Sequence, residues 1–92
     1  MNRKFNDNLN TAVITSIYVV SKNSEIVRIT HHGDGLWEFM GNERIGNAAI
    51  RVISLAQIIE IDDSILDVSD MPGNFYAVRK SNGYNWIINS KT

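Results

Sequence analysis

The sequence predicts a single α+β domain, built as a mainly antiparallel β-sheet of about five to six strands with one short helix packed on it. Two observations predict this class. The chain has 92 residues, of which 43% are hydrophobic and 21% charged, so it has the composition of one globular domain without room for a second core. Segments rich in β-branched and aromatic residues outnumber segments with a helical period. We expect residues 1–10 to form a flexible arm and residues 11–92 to form the domain.

The N-terminal third combines a polar start with an apolar segment. Residues 1–10 include four Asn, so we expect them to bury little, and removal of residues 1–8 to leave the stability nearly unchanged. Thr11–Ser21 is rich in β-branched residues and predicts a strand, with a bulge or break near Thr15-Ser16 where the alternation fails. A polar turn follows at residues 22–24.

The next segment predicts a β-hairpin. Glu25–His31 alternates between apolar and polar residues, which is typical of a half-buried strand. Asp34-Gly35 favours a tight turn, because these residues accept the positive φ values that such turns require. Leu36–Met40 then returns as the second strand, with Trp37 and Phe39 on the same side. We expect Trp37 and Trp86 to be packed in the core or the sheet rather than to form a platform for nucleic-acid bases.

One helix is predicted with clear boundaries. A short strand at Arg51–Ile53 leads into a helix at Ser54–Ile61, whose apolar residues recur at spacings of three and four. Ser54 and Gln57 match a capping box, in which each side chain satisfies a backbone N–H of the first turn. Asp62 and the two residues after it end the helix and cap a further short turn through residue 66.

The C-terminal segment predicts a second hairpin around Asn82-Gly83, the dipeptide that most favours a two-residue turn. The predicted strands are Phe75–Lys80 and Tyr84–Asn89. In this register, Ala77 pairs with Ile88 and Arg79 pairs with Trp86, which allows a cation–π contact. Because both faces are partly apolar, we expect this hairpin to be central in the sheet and covered on one side by the helix.

Composition excludes several classes of function. Nine Lys and Arg against ten Asp and Glu give a net charge of −1, so no polycationic surface for nucleic acid is expected. The chain has no Cys, which excludes disulfides, thiol chemistry and Cys-ligated zinc. No transmembrane segment or leader is evident, because the longest mainly apolar stretch, residues 12–20, is far shorter than the roughly 20 residues of a membrane span. We expect a cytoplasmic protein that binds no membrane.

No residues with a recognisable catalytic or metal-binding spacing were identified. His31 and His32 are neighbours on a predicted strand, so their rings point to opposite faces, and we expect both to be solvated. No motif places a base beside a nucleophile. We therefore predict no catalytic residue, no metal site, no cofactor and no enzymatic activity.

The acidic residues are unevenly distributed. Five of the ten follow the helix start, and no Lys or Arg lies between positions 51 and 79. These five are Glu60, Asp62, Asp63, Asp67 and Asp70. They either cap turns and keep a loop soluble, or they form the surface that binds a partner.

Two runs of residues carry a family resemblance. The first is Trp37-Glu38-Phe39-Met40-Gly41-Asn42-Glu43, and the second extends from Val52-Ile53-Ser54-Leu55 through Asp62-x-x-Ile65 and Pro72-Gly73 to Arg79. Together they resemble the immunity protein 33 family of bacterial domains over most of the chain. Trp37, Gly41 and Glu43 fall on the family motif, with either a structural or a functional role.

The resemblance implies a small α+β protein that neutralises a co-encoded toxin of a polymorphic toxin system, without a catalytic residue or cofactor. The predicted function is therefore that of a non-enzymatic immunity protein whose partner is a cognate toxin. The alternative is a small regulatory or homodimeric interaction domain that pairs through an exposed sheet edge. A toxin gene beside this one would favour the first function.

Overall fold

The computed structural model describes residues 4–91, which form a mixed six-stranded sheet with its helices in short pieces. The strands are β1 (Ala12–Ser16), β2 (Arg28–His31), β3 (Trp37–Met40), β4 (Ile50–Ser54), β5 (Phe75–Val78) and β6 (Ile87–Ser90). The α-helices are α1 (Ile17–Val20) and α2 (Leu55–Ile61), and 3₁₀ helices span Asn47–Ala49 and Asp63–Val68. The strand order is β4-β1-β3-β2-β5-β6, and every neighbouring pair is antiparallel except β1 and β3. The predicted α+β class is confirmed.

The first predicted strand is shorter than expected, because its second half is the helix α1. The break expected near Thr15-Ser16 is present, but the residues after it turn into a helix instead of resuming the strand. Ser16 has extended backbone angles, and its Oγ accepts a hydrogen bond of 3.2 Å from the backbone N–H of Val19. This N-cap, together with the complete burial of Val19, outweighs the β preference of the branched side chains.

The hairpin formed by β2 and β3 and the helix α2 lie where the sequence predicts them, except that β2 begins at Arg28 rather than at Glu25. Gly35 has a φ of +95° at the turn, and Trp37 and Phe39 are both buried on the same face of the sheet. Ser54 and Gln57 form the predicted capping box at the start of α2. Local patterns were sufficient here because each element is specified by residues that are close in sequence.

The β5–β6 hairpin has the predicted register but not the predicted position. Ala77 pairs with Ile88, and Gly83 has a φ of +92° in the turn. However, the strands are shorter than predicted, and β6 lies at the edge of the sheet rather than in its centre, because β5 pairs with β2 on its other side. Ile87 and Ile88 consequently expose 62% and 47% of their surface. The expectation that the hairpin is central is therefore wrong for β6, whereas Ala77 and Trp86 on one side of the hairpin do pack against the core.

The core lies between one face of the sheet and the helical segments. Side chains from alternate positions of the strands meet those of α2 and of the 3₁₀ helix at 63–68. The buried apolar residues of this core include Val13, Ile29, Trp37, Phe39, Ala77, Leu55, Ile58, Ile65 and Val68.

Part of the N-terminal segment is packed into this core. Phe5 is only 6% exposed and meets the ring of Trp37 edge-on, with ring centroids 4.9 Å apart. The indole N–H of Trp37 donates to the carboxylate of Asp7 at 3.3 Å, and the carbonyl oxygen of Leu9 accepts a hydrogen bond from α2 at Ala56. The expectation that this segment buries little is wrong at Phe5, whose ring fills space beside two buried aromatic residues. The first three residues of the predicted arm, residues 1–3, lie outside the described residues.

Candidate functional site

A surface cleft of about 670 Å³ lies between the turn at residues 22–26 and the junction of α2 with the 3₁₀ helix 63–68. Its walls include four carboxylates and one ammonium group, so we refer to it as the acidic cleft. The charged residues that line it are Lys22, Glu25, Glu60, Asp62 and Asp63. Glu25, Glu60 and Asp63 are exposed, whereas Asp62 is half-buried.

The acidic cleft contains three of the five predicted partner-binding residues. Glu60, Asp62 and Asp63 line it, whereas Asp67 and Asp70 do not, although both are exposed. The structure adds Glu25, which lies far in sequence from the acidic segment of residues 60–70. No local pattern could have identified it, because the turn that carries Glu25 and the end of α2 are separated by more than 30 residues and meet only in the folded chain.

Asp62 is engaged inside the protein. Its Oδ2 lies 2.8 Å from Nη2 of Arg79, and its Oδ1 accepts hydrogen bonds from the backbone N–H and the Oγ of Ser64 at 3.0 and 2.6 Å. The side chain of Arg79 is 1% exposed, and that of Asp62 is 12% exposed. The carboxylate therefore neutralises a buried cation and caps the 3₁₀ helix. Capping of a turn was one of the two roles expected from the sequence for the acidic residues.

The guanidinium group of Arg79 contacts three further segments of the chain. Its Nε donates to the carbonyl oxygen of Ile26 at 2.9 Å, its Nη1 donates to Oγ of Ser64 at 2.8 Å, and its Cζ lies 4.1 Å from the ring centroid of Trp86. The predicted cation–π contact is confirmed. Because Ile26, Ser64 and Trp86 lie on separate elements, Arg79 fixes the 22–26 turn, the 3₁₀ helix 63–68 and the last hairpin relative to one another.

The contact with Arg79 reduces the net negative charge of the acidic segment, which in the sequence has no nearby cation. The sequence places no cation between positions 51 and 79, but the fold brings Arg79 into contact with Asp62. Asp62 is therefore a positioning residue for the wall of the cleft. The exposed charges of the cleft are the carboxylates of Glu25, Glu60 and Asp63, offset in part by the ammonium group of Lys22.

Two of the three residues on which the family resemblance rests, Gly41 and Glu43, lie beside the acidic cleft. Trp37 is 1% exposed and belongs to the core. Oε1 of Glu43 accepts a hydrogen bond of 3.0 Å from Oγ of Ser24, a residue that lines the cleft. A Cβ atom at Gly41 would collide with Ser24 Oγ and crowd Glu43 Oε1, so a larger residue at this position would require both side chains to shift. Gly41 and Glu43 therefore hold one wall of the acidic cleft.

The two adjacent histidines are half-buried, so the expectation that both are solvated is wrong. Nδ1 of His31 lies 2.7 Å from the carbonyl oxygen of Met71, and its ring stacks on Trp37 with centroids 3.8 Å apart. Nε2 of His32 lies 2.8 Å from Oε1 of Glu38. The rings diverge as expected for neighbours on a strand. Within residues 4–91, no group of three or more His, Cys, Asp or Glu is placed to hold a metal ion.

Comparisons with known proteins leave the function to be argued from these contacts. The chain matches no family model, no curated protein and no solved structure. The resemblance to the immunity protein 33 family therefore depends on the motif residues themselves. None of the helices in the described part of the chain is long and apolar enough to cross a membrane.

Proposed function

We propose that this protein is a non-enzymatic immunity protein that binds a cognate toxin through the acidic cleft and blocks it in the cytoplasm. The observation that carries the proposal is the convergence of three exposed carboxylates, those of Glu25, Glu60 and Asp63, on one cleft. They come from two segments that the Asp62–Arg79 ion pair and the Ser24–Glu43 hydrogen bond hold in place. The resemblance of the motif residues to the immunity protein family supports the same function.

The cleft fits a partner with a basic binding surface. Toxins that act on nucleic acids need a positive substrate site, and carboxylates arranged on a rigid support can occupy such a site in place of phosphates. Complementary charge speeds the encounter of two proteins, and this effect weakens as salt is added. Asp67 and Asp70 would contact the periphery of a larger partner.

Charge reversal at the cleft tests this function. The double variant Glu60→Lys/Asp63→Lys changes the net charge from −1 to +3, because each substitution adds two charges. We expect its association with the toxin domain encoded beside this gene to be slower by about tenfold or more at low salt. Stopped-flow fluorescence or a biosensor measures the rate. Both residues are exposed, so the variant should keep the wild-type fold, which circular dichroism checks.

The matched control adds the same charge elsewhere. Four exposed asparagines are replaced by lysine, which also gives a net charge of +3. They are Asn6, Asn42, Asn47 and Asn85. We expect this control to associate much faster than the double variant, because none of the four asparagines lines the cleft that is proposed to contact the toxin. A double variant that binds as fast as the wild type, with the same salt dependence, would contradict the proposed function.

A second function, a regulatory or homodimeric interaction domain, is favoured by a different observation. Ile87 and Ile88 are exposed on the edge strand β6, where a further strand can be added to the sheet. The reading frame beside the gene distinguishes the two functions. A large toxin gene supports the immunity function, and an unrelated metabolic operon supports the regulatory one.

A further inference from the structure

The strand β6 is an uncharged edge of the sheet that carries two exposed isoleucines. It is the last strand in the order β4-β1-β3-β2-β5-β6, and no described segment pairs with its outer side. Ile87 and Ile88 are 62% and 47% exposed, and residues 84–90 contain no charged side chain. Natural sheets usually protect such edges with charges, prolines or a covering segment. The edge at β6 shows none of these protections within residues 84–90.

The register of β6 identifies which backbone groups point outward. The backbone N–H of Lys91 donates to the carbonyl oxygen of Asn74 on the β5 side at 2.8 Å. Hydrogen-bonded positions alternate along an antiparallel pair, so Asn89 and Ile87 also direct their N–H and C=O groups toward β5. The N–H and C=O groups of Ile88, between them, point away from the sheet.

The opposite edge of the sheet is protected in part, at its two ends, by its own chain. By the same alternation, Ile50, Val52 and Ser54 direct their backbone groups outward from β4. The N–H of Ile50 donates to Asn47, and the carbonyl oxygen of Ile50 accepts from Nη1 of Arg51 at 2.9 Å. The N–H of Ser54 donates to the side chain of Gln57 at 3.0 Å. The two edges are therefore not equivalent, and β6 is the better site for adding a strand.

We propose that β6 pairs antiparallel with β6 of a second copy of this chain, with the two-fold axis passing through Ile88. In this register the outward N–H and C=O groups of the two Ile88 residues bond each other, and the two side chains lie directly opposite. Lys91 falls opposite Asn85 of the other copy, so no like charges face each other across the axis. The strand is therefore complementary to itself. Because residues 84–90 carry no charge that would attract an oppositely charged partner, a second copy of the chain is the favoured occupant.

A four-residue edge strand buries a small area, so the dimer is weak and forms at high protein concentration. Interfaces that bury less than about 1,200 Å² in total are those of transient complexes. Trapping the dimer by a covalent bond is therefore the most direct experiment, and the absence of cysteine from the natural chain makes this simple.

Single cysteine substitutions test both the pairing and its register. In Ile88→Cys, the two Cα atoms would lie about 5.5 Å apart in a hydrogen-bonded antiparallel pair, within the range of about 4.4–6.8 Å for a disulfide. In Ile87→Cys, the two positions are out of register by two residues, which separates their Cα atoms by roughly 8 Å. We expect Ile88→Cys to form a disulfide-linked dimer under mild oxidation and Ile87→Cys to remain largely monomeric. Non-reducing electrophoresis separates the two species.

Ile87→Cys is a stringent control, because position 87 is the more exposed of the two and random collisions would favour it. Equal cross-linking of the two variants, or none by Ile88→Cys, would overturn the pairing through Ile88. If the chain remains monomeric and is not cross-linked, the proposed homodimer is contradicted, and the partner of β6 would be a strand of another protein.

Lysine substitutions provide a second measurement without cysteine. Ile88→Lys places two like charges opposite each other in the proposed dimer, and Val52→Lys makes the matched change on the edge strand β4, where Val52 is 65% exposed. Sedimentation equilibrium at high protein concentration should show a monomer for Ile88→Lys and a wild-type dimer for Val52→Lys. The opposite pattern would assign the dimer to β4 and contradict the proposal.

Discussion

Arg79 is the residue at which the core and the acidic cleft meet. Its guanidinium group is buried, yet it bonds one carboxylate, one hydroxyl and one carbonyl oxygen and lies over an indole ring. A buried charge is tolerated only when it is paired and hydrogen-bonded, and all of these partners are supplied by segments that line or support the cleft. The ion pair with Asp62 therefore couples the stability of the domain to the shape of the candidate site.

We expect Asp62→Ala to lower the free energy of unfolding by about 3–5 kcal/mol, because Arg79 would then be a buried cation without its counter-charge. Asp63→Ala is the matched control. Asp63 is the neighbouring exposed carboxylate, and its loss should change the stability by less than about 0.5 kcal/mol. Urea denaturation of both variants measures the difference. Similar stabilities for the two variants would show that the Asp62–Arg79 pair contributes little.

At the level of single residues, contacts within one hairpin could be predicted from the sequence, whereas contacts between distant segments could not. The contact of Arg79 with Trp86 follows from the hairpin register, which the Asn82-Gly83 turn determines. The contact of Arg79 with Asp62 joins the residue after β5 to the junction of α2 with the 3₁₀ helix 63–68, and no periodicity or spacing encodes it. For this reason the acidic segment appeared more strongly charged in the sequence than it is in the structure.

Among the elements, the β2–β3 hairpin, α2 and the register of the last hairpin were predictable because capping residues and turn dipeptides specify them locally. The change from β1 to α1 was not. Its residues favour a strand by composition, but Ser16 caps a helix and Val19 is buried. The edge position of β6 was also not predictable, because it depends on which strand β5 pairs with on its other side.

The N-terminal segment provides a prediction at the element scale. We expect Phe5→Ala to lower the free energy of unfolding by about 3–5 kcal/mol, because its ring is buried against Trp37 and its loss would leave a cavity. Asn6→Ala, at an exposed neighbouring position, should have almost no effect. Thermal or urea unfolding compares the two. Wild-type stability of Phe5→Ala would restore the expectation that residues 1–8 are dispensable.

For the whole molecule, the distribution of charge matters more than its sum. The net charge of −1 hides an acidic cleft with three exposed carboxylates and a sheet edge without charge. Two copies of a nearly neutral protein repel each other little, so electrostatics neither prevents nor drives the pairing of β6. A basic partner, in contrast, would be attracted to the cleft by a local field that salt screens.

These two surfaces should therefore respond differently to salt. Between about 50 and 500 mM salt, the Debye length shortens to a few ångströms, so the rate of association with the toxin should fall by about tenfold or more. The dissociation constant of the dimer, measured by sedimentation equilibrium over the same range, should change by less than about twofold, because burial of Ile87 and Ile88 and backbone hydrogen bonds hold it. A dimer that weakens as steeply as toxin binding would be held by charges and would exclude the β6 edge as its interface. Toxin association that is independent of salt would exclude the acidic cleft as the site that attracts the toxin, because three exposed carboxylates cannot accelerate an encounter without being screened.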